Sequence, residues 1–156
     1  MPTKAFAMPD STLERNVAFQ MASIIYQLDQ DLRDTTLREL NLTYAHFRVL
    51  QYLYQKDGQK IGHLAKAIVV RQPVLSRVIS QMEQRRLVKR RTDPADSRLM
   101  RVHLTINGKA QYEKAWPSAH AMIERTLSNF SPQERKTLQR LLAKMASGIS
   151  KAPHDA

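Results

Sequence analysis

The chain has 156 residues, 42% of them hydrophobic, with 25 Lys+Arg against 14 Asp+Glu for a formal charge of +11. That is enough apolar material for a core and too much for a disordered basic tail, and the charge points to a polyanionic partner. No cysteine is present, which excludes disulfides, thiolate zinc sites and a nucleophilic or redox-sensing thiol.

Residues 1–12, with Pro2, Pro9 and Asp10, read as a loose arm, and the start lacks the apolar stretch of a signal peptide. Leu13, Val17, Met21, Ile24, Leu28 and Leu32 then recur at three- and four-residue spacing, predicting a long helix over about 12–38 with one apolar stripe. Thr43 is a helix cap, followed by Phe47, Leu50 and Leu53 as a buried face. Lys56–Gln59 is a turn, and Ile61, Leu64, Ala65 and Ile68 give a short third helix. Pro73 opens a fourth helix, whose inner face is Val74, Leu75, Val78, Ile79 and Met82, with Leu87 beyond.

Two short helices joined this tightly, the second bearing Arg and Gln at its start, are a helix-turn-helix. The second fits a major groove and brings Arg71, Gln72, Ser76 and Arg77 to base edges. Two alternating runs follow, 87–92 and 99–105, separated by Asp93-Pro94-Ala95-Asp96. They predict a β-hairpin with a basic tip, making the module a winged helix whose Arg98 reaches a minor groove. Eleven Lys/Arg lie between Lys60 and Arg101 against Glu83, Asp93 and Asp96 alone, so most of the charge sits on this segment. Few aromatics lie among the charges, which favours duplex phosphates over stacked single strands.

Thr105 or Asn107 starts a further helix containing Tyr112, Trp116 and Met122, which Pro117 should kink or split near Trp116. Ser131-Pro132-Gln133-Glu134 is a capping box for a last helix to about Ser147, with Gly148 as its stop and a frayed tail from Lys151. The fold expected is mainly α with a small β-wing: a winged helix-turn-helix (41–105) flanked by an N-terminal arm and dimerisation helix (1–40) and C-terminal dimerisation helices (106–156). The apolar stripes at the two ends exceed the core available in one chain, so they predict a homodimer with recognition helices about one DNA turn apart.

The stretch Leu87–Arg98, continuing through Val102-His103-Leu104-Thr105 to Gly108, resembles the wing of the MarR family of bacterial transcription regulators, with Asp96 and Arg98 as the tip pair. Leu42-Thr43 through Leu50 resembles the start of that family's second helix, and the likeness spans about 13–149. Val69 and Arg86 stand where the family commonly has glycine, and Arg71 replaces a Ser/Asp-type cap. The resemblance implies a homodimeric regulator on a pseudo-palindromic operator, commonly a repressor released by a small aromatic acid or phenol bound between the dimerisation and DNA-binding lobes.

The expected DNA contacts are Arg71, Gln72, Pro73, Ser76, Arg77, Arg86, Lys89, Arg90, Arg91, Asp96, Arg98 and Arg101. A carboxylate effector needs a cation and hydrogen-bond donors in an apolar pocket, and Arg15, Tyr26, Tyr44, His46 and Arg48 supply them. No cofactor is expected, and the five histidines lack zinc-ligand spacing. No catalytic grouping is evident, so an enzyme is not expected. The setting expected is the cytoplasm. The alternative is a nonspecific or architectural DNA-binding protein without an effector.

Overall fold

The computed structural model describes residues 15–151, so the expected arm and the last five residues lie outside it. The described chain forms two compact units that divide between Ala119 and His120.

In the first unit, helix α1 (Val17–Leu32) is capped by Asn16, whose side chain accepts the Phe19 N–H at 3.0 Å. It continues through a π-helical turn, Arg33–Leu37. Leu32 and Leu37 are buried, but Val17, Phe19, Ile24, Ile25 and Tyr26 are about half exposed or more. Of the apolar stripe read from the sequence, Val17 and Ile24 are exposed in a single chain, Met21 and Leu28 half-buried and Leu32 buried. Asn41 takes a left-handed backbone (φ 51°) and turns the chain into α2 (Tyr44–Gln55). There Thr43 Oγ1 accepts the His46 N–H and His46 Nδ1 accepts the Thr43 N–H, both at 3.1 Å, a reciprocal capping box. Phe47, Val49, Leu50 and Leu53 are buried on its inner face.

Gly58 (φ 69°) makes the turn into β1 (Gln59–Lys60), a two-residue strand too short to leave a periodic signal in the sequence. Helix α3 (Ile61–Ala67) buries Leu64 and Ala65. Val69 (φ 59°) then reverses the chain into α4 (Gln72–Gln84), with Pro73 in its first turn, where a missing N–H is harmless. Leu75, Ile79 and Met82 face the core, while Val74 is exposed, against the sequence expectation. The Arg85 guanidinium donates to the carbonyls of Asn41 (2.6 Å) and Leu40 (3.3 Å), tying the end of α4 to the end of the first helical segment. Arg86 (φ 56°) starts the hairpin.

Strands β2 (Val88–Thr92) and β3 (Met100–Leu104) pair antiparallel, with Val88 opposite Leu104 and Thr92 opposite Met100. Residues Gln59 and Lys60 of β1 join the other side of β3, opposite Val102 and Arg101, so the order is β1-β3-β2. Val88 and Val102 are fully buried with Leu50, Leu53, Leu64, Leu75, Ile79 and Met82. This core holds α4 and the hairpin as one body. Thr105 then caps α5 (Ile106–Thr126), accepting the Gly108 N–H at 2.9 Å while donating to the carbonyls of Arg86 and Leu87. A Cβ at Gly108 would overlap the Leu87 carbonyl, so only glycine fits there.

Of the kink or split expected at Pro117, the split does not occur: α5 runs as a single helix past Trp116. In the second unit, Ser131 and Glu134 form the expected capping box at the start of α6 (Pro132–Lys151). Arg135 pairs with Glu124 at 2.6 Å and donates to the Leu127 carbonyl. The helix runs through Gly148 instead of stopping there: one glycine costs only about 1 kcal/mol of helix propensity. Leu141, Leu142 and Met145 are exposed on it.

Candidate nucleic-acid interface

The site grows from two elements, α4 and the β2–β3 wing. At the start of α4, Arg71 is the cap residue, with extended backbone and no side-chain capping bond. Arg71, Gln72, Pro73 and Arg77 are exposed there, and Ser76 is half-buried. Gln72 also passes close to α3: a Cβ on Gly62 would stand 3.2 Å from its side-chain oxygen. Along the wing, Lys89 and Arg91 alternate outward on β2 and are exposed, as is Arg86 at its foot. Arg98 stands at the wing tip, its side chain 92% exposed. Its Nε stands 3.9 Å from Asp96, too far for a firm hydrogen bond.

Two of the arginines among the expected contacts are engaged inside the molecule. Arg90 lies across the α4–wing junction: its backbone N–H and Nη1 donate to the two oxygens of Glu83 at 2.9 and 2.6 Å. Its Nη2 donates to the Ser76 carbonyl (3.3 Å) and to Ser80 Oγ (3.0 Å). Arg101 donates from Nε to Asp93 at 2.6 Å and from Nη1 to the Gly58 carbonyl at 2.8 Å, linking the wing to the turn before β1. Asp93 is buried, and its carboxyl is held below the usual carboxylate range by the Ala95 N–H and by Arg101. Asp96 shapes the tip: its carboxylate accepts the Arg98 N–H at 3.0 Å and its carbonyl the Leu99 N–H. Asp57 anchors the exit, accepting the Leu104 N–H at 2.7 Å beside His103. The root of the wing is therefore cross-braced, and Arg98 projects from its tip.

Sequence reasoning missed Glu83 as a working residue. The signal was available, since Glu83 is the sole acid between Lys60 and Thr92. The brace itself depends on Glu83, Ser76 and Ser80 lining up with a strand, which spacing alone does not show.

Of the expected effector residues, the structure brings together Tyr44 and Arg48, with the guanidinium 5.7 Å from the ring centroid. Arg15 and Tyr26 are exposed and make no hydrogen bond, ion pair or ring contact with that pair. His46 is buried in the capping box; burial, and then the charge of Arg85, push its imidazole below its ordinary value. Accepting from Thr43 through Nδ1 leaves the ring proton on Nε2. Among the described residues no His/Asp/Glu group could hold a metal ion, and no helix is long and apolar enough to cross a membrane.

A helix pair carrying exposed Arg and Gln beside a braced basic hairpin is the geometry of a groove-reading winged helix. The MarR family sequence model matches residues 42–100, the span from the start of α2 to the wing tip. The chain is 30% identical over 116 residues to the HTH-type transcriptional regulator YkoM of Bacillus subtilis, covering 74% of each. A MarR-family transcriptional regulator from Silicibacter pomeroyi superposes with a TM-score of 0.80 at 33% identity, over 93% of this chain and 96% of that one. BpsR of Bordetella bronchiseptica, whose DNA binding is regulated by 6-hydroxynicotinic acid, superposes with a TM-score of 0.78 at 27% identity, over 92% and 99%. With this fold, this interface and these relatives, the chain belongs to the MarR family, as a DNA-binding transcriptional regulator and not an enzyme.

Proposed function

We propose that the protein is a homodimeric repressor that binds a pseudo-palindromic operator and leaves it when a small aromatic acid or phenol binds. The observation that carries the DNA part is the braced wing beside α4: Arg90 and Arg101 hold its root while Arg98, Arg91, Lys89 and Arg86 face solvent. In this reading α4 enters the major groove, where Gln72 and Arg77 read base edges and Arg71 and Ser76 approach the backbone. Arg98 enters the adjacent minor groove, where the potential is most negative. Pro73 and Asp96 set the backbone that presents these groups, and Arg90 and Arg101 act by holding it.

Dimerisation is supported by the exposed apolar residues of α1 (Val17, Ile24, Ile25) and of α6 (Leu141, Leu142, Met145), each bare on a single chain. In this reading residues 1–40 and 106–156 pair the subunits and 41–105 read DNA in the cytoplasm. The effector reading rests on the Tyr44–Arg48 pair, a cation over an aromatic face suited to an aromatic carboxylate, with Arg15, Tyr26 and His46 as the further groups read from the sequence. The regulation of BpsR by an aromatic acid supports that class. A ligand wedged there must favour the DNA-incompetent spacing by several kcal/mol to empty the operator.

The test is a gel shift of the full chain on the intergenic DNA beside its own gene and on random duplex, titrated with a panel of aromatic acids and phenols. The expected result is preference for the intergenic DNA and its release by one ligand class. Equal affinity for both duplexes, with no ligand effect, establishes instead an architectural DNA-binding protein.

A further inference from the structure

Helix α4 divides its side chains among three flanks. Leu75, Ile79 and Met82 are fully buried in the core. Ser76 and Ser80 accept from the Arg90 guanidinium, through a carbonyl and a hydroxyl, and Glu83 accepts from it as well, so this second flank faces the wing. Val74, Arg77, Gln81 and Gln84 recur at three- and four-residue spacing on the remaining flank, and all four are exposed.

Val74 is out of keeping with that row. Among the described residues of α4 it is the one large apolar side chain that is exposed, at 44%. Valine is a poorer helix former than the glutamines and arginine beside it, and surface left in water contributes nothing to the core. Arg71 lies one turn before it and Arg77 one turn after it, both exposed. These surroundings are wrong for a second apolar protein surface, which would bury two charges without partners. They suit a ligand that is a polyanion overall and carries an isolated apolar group. Duplex DNA has one such group on its major-groove edge, the 5-methyl of thymine.

We propose that Val74 reads a thymine, its two methyl groups packing on the 5-methyl in the major groove beside the base that Arg77 contacts. The proposal rests on the reading in which α4 enters that groove. A β-branched side chain in a helix holds one strongly preferred χ1 rotamer, so the contact forms with little loss of side-chain freedom. The Arg90 brace fixes the same turns of α4 from another flank, through Ser76 and Ser80. Cytosine in place of that thymine offers no methyl, so Val74 makes the chain discriminate between the two pyrimidines.

The test compares two versions of one duplex, the intergenic DNA beside the chain's own gene, copied with thymidine or with deoxyuridine triphosphate. Deoxyuridine keeps the base pairing and lacks the methyl. Affinities of the full chain, of Val74→Ala and of Arg77→Ala are measured on both copies and on random duplex. The parent chain should bind the deoxyuridine copy about fourfold more weakly for each thymine contacted, the worth of one methyl group removed from water. Val74→Ala should weaken binding to the thymidine copy by a similar factor, lose most of the difference between the copies, and lose less on random duplex. Arg77→Ala should weaken binding to both copies and keep the difference. A deoxyuridine penalty as large in Val74→Ala as in the parent overturns the proposal, and so does a parent indifferent to the methyl; in either case, preference for the intergenic DNA over random duplex leaves the groove reading standing. A parent that binds both copies and random duplex alike defeats that reading and the proposal together.

Discussion

Glu83 grips Arg90 twice, through its backbone N–H and its guanidinium, and so locks α4 to the first strand of the wing. The pair makes a prediction whose sign separates two roles. Removing an acid beside a DNA-binding surface should strengthen phosphate binding if charge were all that counted. As a brace, Glu83 does the reverse: Glu83→Gln should weaken operator binding by about fivefold, roughly 1 kcal/mol for a partly exposed ion pair. Fluorescence anisotropy on operator DNA checks it, and tighter binding by the variant would show that the pair does not position the wing.

Arg98 makes the contrasting case. Its side chain is almost wholly exposed, so Arg98→Ala should leave the melting temperature unchanged. It should lower the salt slope of DNA binding by about one phosphate contact. Gln72→Ala and Arg77→Ala should instead cost about 1–3 kcal/mol on the operator and less on random DNA. A slope that stays put in Arg98→Ala removes the wing tip from the interface.

His46 predicts a pH dependence of stability. Its imidazole is neutral in the folded chain, and its pKa there lies below that of the unfolded chain. The unfolded state therefore binds more protons over the interval between the two values. The His46 contribution is complete above the unfolded value near 6.5 and is lost as the pH falls below it. Protonation also takes Nδ1 away from the Thr43 N–H and opens the capping box. His46→Gln keeps a side-chain acceptor at that box position. Melting curves at pH 7.5 and 5.5 should show a smaller acid loss in the variant than in the parent; equal losses would clear His46 of the effect.

Val69 carries strain of a kind that can be relieved. It is a β-branched residue at φ 59°, and 78% exposed, so it buries little in return. A left-handed non-glycine residue costs about 1–2 kcal/mol. Val69→Gly should raise stability by about 0.5–1 kcal/mol after the added freedom of the unfolded chain is deducted. Chemical denaturation reads this directly, and a loss of stability would mean that the Val69 side chain has packing value.

Much of this architecture is legible in the residues because its signals are local. Thr43, Pro73 and the Ser131–Glu134 box announce helix starts through side-chain chemistry that needs no distant partner. The two turns where the family commonly has glycine, at Val69 and Arg86, do adopt the left-handed backbone that glycine favours. What escaped reading depends on distant partners or on energies too small to decide an outcome. Strand β1 is two residues long and exists because β3 lies beside it. Gly148 is too weak a breaker to stop α6. The Tyr54 hydroxyl reaches Glu113 across 59 positions of chain, and Arg85 reaches back 44 to Asn41. His46 reads as a polar effector candidate, whereas burial and the Thr43 cap give it a place in the core.

The strand order β1-β3-β2 also bears on how such a molecule stays dispersed. The central strand has no bare edge. One margin of the sheet is β1, too short to template a foreign strand, and the other, β2, carries the outward cations Lys89 and Arg91. Short margins and edge lysines or arginines are the means by which natural sheets discourage fibre growth. The same side chains that would draw this protein onto a nucleic acid therefore keep its own copies from stacking into amyloid.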